Sequence, residues 1–235
     1  MIKKLLPLAF AASAWTAHAA DFPSIGTLSQ DEFLRISRDL GAAISYKGVT
    51  PATPLGVTGF DVGVEVTDTR LESSDAFSRA GAGGHSHLVI PKLHVYKGLF
   101  GGLDIGAFIG GSSDVSASVF GADLRYAIVD DGLATPAVAI RLSGTKSGGL
   151  GDLSVATAAL DVMASKRFTA FTPYVGAGSV RVQSSVRNSP LEEVRFNKAR
   201  VFGGLNVNLI AVNVALEAEK MGANTSLSAK LGFRF

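Results

Sequence analysis

Two histidines stand one residue apart in the glycine-rich stretch GGHSH, residues 83–87. Imidazole groups can bind a metal ion or act as a general base near neutral pH. In a strand, His85 and His87 would lie on one face, within reach of a common ion, whereas His94 would lie on the opposite face. A third ligand is therefore not evident. The spacing favours a loop with two solvated histidines and no metal, and a metal-binding or catalytic role is the alternative.

Charged side chains form a second candidate group, because they recur at every second position of apolar segments. Around residue 124, for example, Asp123 and Arg125 alternate with Ala122, Leu124 and Tyr126. A period of two is typical of β-strands with two unlike faces. The pattern therefore predicts strands with one apolar face and one charged face.

Turn signals divide the chain into ten predicted strands: 57–70, 86–97, 101–111, 116–129, 134–145, 154–165, 169–183, 197–209, 212–220 and 225–235. Four connections are short and would lie on the side where the last strand ends, whereas the longer ones, around 71–85, 146–153 and 184–196, would lie on the other side. This arrangement is typical of bacterial outer-membrane barrels. A soluble β-sandwich, whose apolar faces would meet in a core, is the alternative.

Aromatic residues give a second argument for a membrane barrel, because rings gather at the membrane–water boundary. On this strand layout eight of them are predicted to fall at the inner end: Tyr96, Phe100, Tyr126, Phe168, Phe171, Tyr174, Phe233 and Phe235.

The first residues have the three parts of a secretory signal: Lys3 and Lys4, an apolar run over 5–14, and small residues at Ala17 and Ala19. Cleavage would remove two lysines and change the balance from 22 basic against 20 acidic residues to 20 against 20. A nucleic-acid partner is therefore not expected. The chain has no cysteine, which excludes disulfides, thiolate zinc sites and thiol nucleophiles.

The chain ends on TSLSAKLGFRF, residues 225–235, in which apolar residues alternate up to a terminal phenylalanine. This ending resembles the assembly signal of bacterial outer-membrane β-barrel proteins, with Leu231, Phe233 and Phe235 as its apolar positions. The resemblance implies an all-β fold, a transmembrane antiparallel up-and-down β-barrel in the bacterial outer membrane, reached through the periplasm. It also implies three partners: the barrel assembly machinery, outer-membrane lipid and lipopolysaccharide. It does not identify a subfamily or an oligomeric state.

One short helix is predicted before the barrel. Ser29 and Glu32 fit a capping box, in which the side chain of each accepts a hydrogen bond from the backbone amide of the other at the first turn of the helix. An apolar stripe at helical spacing follows: Phe33, Ile36, Leu40 and Ile44. The sequence thus predicts a signal peptide at 1–19, an N-terminal periplasmic segment with a short amphipathic helix at 20–56, and the β-barrel at 57–235. We expect the helix to cover the barrel mouth; a movable plug or a docking helix is the alternative.

On this layout the charged strand faces line the lumen. The candidate lumen-lining residues are Asp123, Arg125, Arg141, Asp161, Arg181, Arg200, Glu217, Glu219, Lys230 and Arg234. Both signs occur in similar number, so we expect the side chains to pair and to fill a barrel of this size.

These features predict a structural or interaction role with a largely occluded, ion-paired lumen, without catalytic residues or a cofactor. One alternative is a narrow, weakly selective small-solute pore. A remote alternative is a hydrolase at the rim, comparable to the ten-stranded outer-membrane proteases. Those enzymes use acidic residues with an Asp–His couple, and the only recognisable acidic counterpart near His85 and His87 is Asp75.

Overall fold

The computed structural model describes residues 22–112, 114–115, 117–210 and 212–235, so the predicted signal peptide lies outside the described residues. Ten strands close into one barrel: β1 Phe60–Arg70, β2 His87–Gly98, β3 Leu103–Ser112, β4 Ala117–Val129, β5 Ala137–Gly148, β6 Leu153–Ser165, β7 Phe171–Val186, β8 Val194–Leu209, β9 Val212–Met221 and β10 Asn224–Arg234. Each strand is antiparallel to its neighbours in sequence, and β1 pairs with β10. The predicted all-β fold, strand number and up-and-down order are confirmed.

The outer wall of the barrel is apolar because the hydrophobic positions of each strand point outward. Val64, Leu93 and Leu124 are about half exposed, at 46%, 52% and 43%. Their charged neighbours in sequence, such as Glu65 and Asp123, are buried inside. This is the inverse of a soluble protein, and it suits a wall that faces lipid around a polar interior. Closure also leaves no strand edge with unpaired backbone groups, which hydrocarbon would not tolerate.

The two ends of the barrel differ. We call the end where β1 begins and β10 finishes the base, and the opposite end the rim. The rim carries the longest connection, 71–86, which includes α2 Ser74–Arg79, whereas the loop 187–193 at the rim and the connection 130–136 at the base have seven residues each. In bacterial barrels the longer loops face the outside and the short turns face the periplasm. The long connection 71–86 therefore indicates that the rim is the extracellular end.

Aromatic side chains at the base form a partial girdle. Six of the eight predicted there point outward and are more than half exposed: Phe100, Tyr126, Phe168, Phe171, Phe233 and Phe235. Tyr96, which pairs with Asp61, and Tyr174, the fourth residue of β7, also lie at this end as predicted, but both are buried inside the barrel and do not belong to the girdle. Their hydroxyl groups bond to polar partners in the interior, which accounts for their inward position.

The helix α1 Gln30–Ile44 lies inside the barrel. Its capping box forms as predicted: Glu32 N donates to Ser29 Oγ at 3.3 Å, and Ser29 N donates to Glu32 Oε2 at 2.9 Å. The predicted apolar stripe is fully buried and packs in one cluster with inward-facing residues of β2 and β7, including Leu88 and Val182. Within the described ranges, no helix is long and apolar enough to cross a bilayer.

The segment that contains α1 runs through the barrel from rim to base. At the rim, Ser24 N donates to Ala80 O at 3.1 Å, and Gln30 Nε2 donates to Glu192 O at 2.9 Å. Near the base, Leu55 N donates to Asp104 Oδ1 at 3.1 Å. The expectation of a separate periplasmic segment over 20–56 is therefore corrected: α1 finds its apolar partners on the inner wall, and the chain leaves the lumen only where β1 begins.

Candidate functional site

Asp161 on β6 holds two arginines near the middle of the barrel. Its carboxylate accepts hydrogen bonds from Arg141 Nε at 3.0 Å and from Arg200 Nε at 2.7 Å, and Arg200 Nη2 makes a further contact. All three side chains are buried. The Arg141 guanidinium also lies 4.9 Å from the ring centroid of Phe202, a cation–π arrangement. This cluster lies on three different strands, so it ties the barrel wall together across its interior.

A glycine allows this contact to span two strand spacings. Asp161 on β6 is paired with Gly178 on β7, and Gly178 is paired with Arg200 on β8. A Cβ atom at position 178 would lie 2.2 Å from Asp161 Oδ1. Because the middle strand has no side chain at this level, the guanidinium of Arg200 reaches the carboxylate directly.

The segment that follows α1 is bound to the same part of the wall. Arg200 Nη1 donates to Tyr46 O at 2.8 Å, and Lys47 Nζ lies 3.2 Å from Glu219 Oε1. Lys47 Nζ also donates to Ala42 O at 2.7 Å, so its charge lies at the C-terminal end of the helix dipole. These contacts fix the end of α1 inside the lumen.

Tyr46 connects this segment to the opposite side of the wall. Its hydroxyl group donates to Asp123 Oδ1 at 2.7 Å and lies 2.8 Å from the hydroxyl of Tyr96. The Tyr46 ring is stacked on His94 with 5.9 Å between centroids. His94 Nε2 in turn lies 3.1 Å from Glu65 Oε2. The residues therefore form a continuous polar layer across the lumen.

Further ion pairs lie above and below this layer. Glu65 binds Lys92, with 2.7 Å between Oε1 and Nζ, and Asp104 binds Arg125, with 2.6 Å between Oδ2 and Nη2. Lys230 Nζ lies 2.9 Å from Asp61 Oδ2. Each of these six side chains is buried to within a few per cent.

The structure brings most of the sequence-predicted lumen residues into this interior. Eight are buried there: Asp123, Arg125, Arg141, Asp161, Arg200, Glu217, Glu219 and Lys230. Glu217 accepts a hydrogen bond from the hydroxyl group of Tyr174 at 3.0 Å. Arg234 lies at the base, where its Nη1 is 4.0 Å from Asp61 Oδ2.

Arg181 is the exception, and its predicted position is corrected. Its side chain is exposed on the outer wall, while its neighbours Val180 and Val182 are fully buried inside. The reason is α1, which provides an apolar partner at this level of the lumen. Because the interior is apolar there, valines point inward and the arginine points outward.

The interior network also uses residues that the sequence pattern does not indicate. Lys47 and Tyr46 come from the segment before β1, and nothing in the sequence around them indicates which wall residues they contact. Asp104 could have been found, since it alternates with the outward-facing Leu103 and Ile105 in the same pattern as other lumen residues.

The rim histidines do not converge on a common ion. His87 points outward, and its Nδ1 lies 3.0 Å from Asp68 Oδ1 on the neighbouring strand. His85 lies in the loop before β2, with its Nε2 near Gly83. Within the described part of the chain, no group of three or more His, Asp or Glu residues is arranged to hold a metal ion. The Asp68–His87 couple lies on the outer surface of the wall and not in a cleft.

A charged cluster joins α1 to α2 at the rim. Asp75 contacts Arg35 and also Arg79, whose Nη2 is 2.8 Å from Asp75 Oδ2. The hydrogen bond from Arg35 is the main reason that the pKa of Asp75 is lowered to about 2. The pKa of Glu32 is also lowered, first by its bond from the Ser29 amide and further by Arg79, whose Nε lies 2.6 Å away. The cluster therefore keeps its carboxylates charged at ordinary pH.

Comparisons with known proteins show the fold only. No family model and no curated relative matches the chain. Among solved structures, the N-terminal β-barrel domain of Pseudomonas aeruginosa OprF is 15% identical over 74% of this chain and 97% of that domain, with a TM-score of 0.38. The outer membrane protease OmpT from Escherichia coli is 10% identical over 75% and 96%, with a TM-score of 0.42. The KdgM porin, solved with disordered oligogalacturonate, is 8% identical over 75% and 99%, with a TM-score of 0.39.

The chain is a β-barrel of the bacterial outer membrane. Its apolar outer wall, charged interior and closed antiparallel strands are the properties that this environment requires.

Proposed function

We propose that this protein is a non-enzymatic outer-membrane barrel with a structural or interaction role, whose lumen is closed by its own segment 22–56. The observation that carries the proposal is the set of contacts in mid-barrel between this segment and the wall. Lys47 faces Glu219, the backbone of Tyr46 binds Arg200, and the Tyr46 side chain binds Asp123. Ions or solutes could pass only after these contacts had been separated.

The energetics of buried charge support closure. A charge that leaves water is costly unless it is paired, and removing one partner of a buried pair costs about 3–5 kcal/mol. In this interior Asp161, Glu65 and Asp104 each face at least one cation within 3.1 Å. A conducting state would have to hydrate several such pairs at once. A pore is the second possibility, but the mixture of signs gives it no ring of one charge that would select ions.

An enzymatic role has weaker support. His87 and Asp68 make a couple of the kind used in general-base catalysis. Both side chains, however, lie on the outer surface of the wall and point away from the lumen. A hydrolase would need a third group and a concave site around the reacting atom. The role we favour is therefore one that the rim loops perform by contact with other surface components.

The test is single-channel conductance of the refolded chain in a planar bilayer, after a heat-dependent gel shift has confirmed folding. We expect the unmodified protein to stay electrically silent. Lys47→Asp places a carboxylate against Glu219 and should produce intermittent openings, because it repels the segment from the wall. Arg187→Asp, which changes an exposed rim loop residue by the same charge, is the matched control and should stay silent.

Steady openings of the unmodified protein would contradict the proposal. If reversing Arg141 to Glu then changed their amplitude or ion preference, the small-solute pore would be the correct function.

A further inference from the structure

The outward side chain of Arg181 belongs to a basic patch that extends over four neighbouring strands. Strand register places Arg181 on β7 opposite Asn197 on β8, and Gln183 opposite Arg195. Arg181 and Arg195 are therefore diagonal neighbours on the outer face, about 7–8 Å apart at the backbone. On the other side of β7, Lys146 on β5 is separated from Gln183 only by Ala156 of β6. All three cationic side chains are exposed.

Small residues lie between these cations. Ala156 and Ala158 of β6 separate Lys146 from the two arginines, and Gly144, on the same strand as Lys146, is paired with Ala158, so no large side chain projects from the wall there. Strands lie about 4.8 Å apart, so Lys146 is about 10 Å from the strand that carries Arg181. Side chains of this length can approach one group placed over the alanines.

The patch lies at the upper edge of the apolar wall. On β7 the outward positions run from Phe171, in the aromatic girdle of the base, to Arg181. Ten residues that rise about 3.3 Å each, in a strand tilted by about 40°, span about 25 Å along the membrane normal. This is the height of the apolar band of an outer-membrane barrel. The cations therefore lie at the level of the headgroups of the extracellular leaflet.

Few acidic groups compete for these cations. Arg195 contacts Glu193, whereas neither Arg181 nor Lys146 forms an ion pair with a carboxylate of the described residues. Below the patch the wall becomes apolar again with Leu142 and Leu160, which are 57% and 55% exposed. A ligand with a negative head above and hydrocarbon chains below would match both regions.

The geometry points to a binding site for a phosphate group of lipopolysaccharide on the outer wall, formed by Lys146, Arg181 and Arg195. Guanidinium groups bind phosphate through paired hydrogen bonds, and lysine adds a point charge. The alanines give room for the sugar that carries the phosphate, and the leucines below contact its acyl chains. The site is independent of whether the lumen conducts.

The test is native mass spectrometry of the folded full-length barrel in detergent, titrated with bisphosphorylated lipid A and with chemically dephosphorylated lipid A. We expect one molecule of the phosphorylated lipid to bind at least about tenfold more tightly than the dephosphorylated one. The double variant Lys146→Gln and Arg181→Gln should lose this preference. Arg70→Gln is the matched control, since it removes an exposed cation from the outer face of β1 at a comparable height, and it should keep the preference.

Three results would overturn the site. Equal affinity of the unmodified protein for the two lipids would remove the role of phosphate, and this comparison needs no variant to fold. An equal loss in Arg70→Gln would show general surface charge. Displacement of the lipid by millimolar inorganic phosphate would show a site for free phosphate and not for the lipid.

Discussion

Gly41 is a position at which α1 lies directly against the barrel wall, and it allows a direct test of where the helix lies. A Cβ atom at position 41 would lie 2.7 and 2.8 Å from the two methyl groups of Val182. These distances are shorter than carbon atoms tolerate, and a closed barrel gives β7 little freedom to move away. Gly41→Ala should therefore destabilise the folded protein.

The magnitude follows from two opposing terms. In an exposed helix, replacing glycine by alanine stabilises by about 1 kcal/mol. Overpacking a filled interior costs about 1–3 kcal/mol. The net effect of Gly41→Ala inside the barrel is thus a loss of up to about 2 kcal/mol.

A second variant, at Val182, gives a test that does not depend on the small net effect of Gly41→Ala on the free energy of unfolding. Val182→Ala removes two buried methyl groups and should cost about 2 kcal/mol. In the double variant the new methyl at position 41 fills part of the space left by Val182. We therefore expect the two changes to be coupled favourably by about 1–3 kcal/mol.

The measurement is the free energy of unfolding from urea titrations of the barrel in lipid vesicles, with the folded fraction read from the heat-dependent gel shift. Val180→Ala is the control, because Val180 is buried on the same strand but is not among the atoms nearest to position 41. Its effect should add to that of Gly41→Ala. A stabilisation of about 1 kcal/mol by Gly41→Ala, additive with Val182→Ala, would refute the placement of α1 in the lumen.

Three further predictions concern the interior, the rim and the C-terminal strand. Asp161→Asn leaves two buried guanidiniums without their carboxylate and should lower the free energy of unfolding by about 3–5 kcal/mol in the same urea titration. Because the pKa of Asp75 is lowered to about 2, chiefly by the hydrogen bond from Arg35, the link between α1 and α2 should be complete above about pH 4. It should weaken as the pH falls through 2, and a fluorophore on Ser78→Cys, a unique thiol in this chain, should then become more mobile. Phe235→Ala should slow insertion by the assembly machinery, measured as the rate at which the heat-shifted band forms.

For each of these three predictions, a specific result would contradict the reasoning. A loss below about 1 kcal/mol in Asp161→Asn would mean that the central carboxylate is not needed by its arginines. Unchanged fluorophore mobility between pH 5 and 2 would mean that Asp75 does not hold α2. Phe120→Ala is the control for Phe235→Ala, because it removes an exposed ring near the rim end of β4. Equal slowing by both variants would show that the C-terminal residue has no special role in assembly.

The wall of the barrel could be predicted from sequence because lipid imposes a simple rule on every strand. Positions such as Val64 and Leu124 must be apolar, and their neighbours need not be. The resulting period of two gave the ten strands and the inward direction of Asp123, Arg141 and Asp161. The capping box at Ser29 is equally local, since both its bonds lie within one helical turn.

The content of the lumen could not be predicted, because it depends on contacts between residues far apart in the chain. Nothing near Lys47 or Tyr46 indicates that they face Glu219 and Asp123. The apolar stripe of α1 suits a helix that covers a barrel mouth as well as one that fills the barrel.

Arg181 shows most clearly what only the tertiary structure decided. Sequence alternation established that Arg181 and its neighbour Val182 point in opposite directions, but not which of them points inward. In most of this barrel the polar residue is inside, because the lumen is lined by charge. On β7 next to α1 the lumen is apolar, so the valine is buried against Gly41 and the arginine lies outside, at the edge of the membrane.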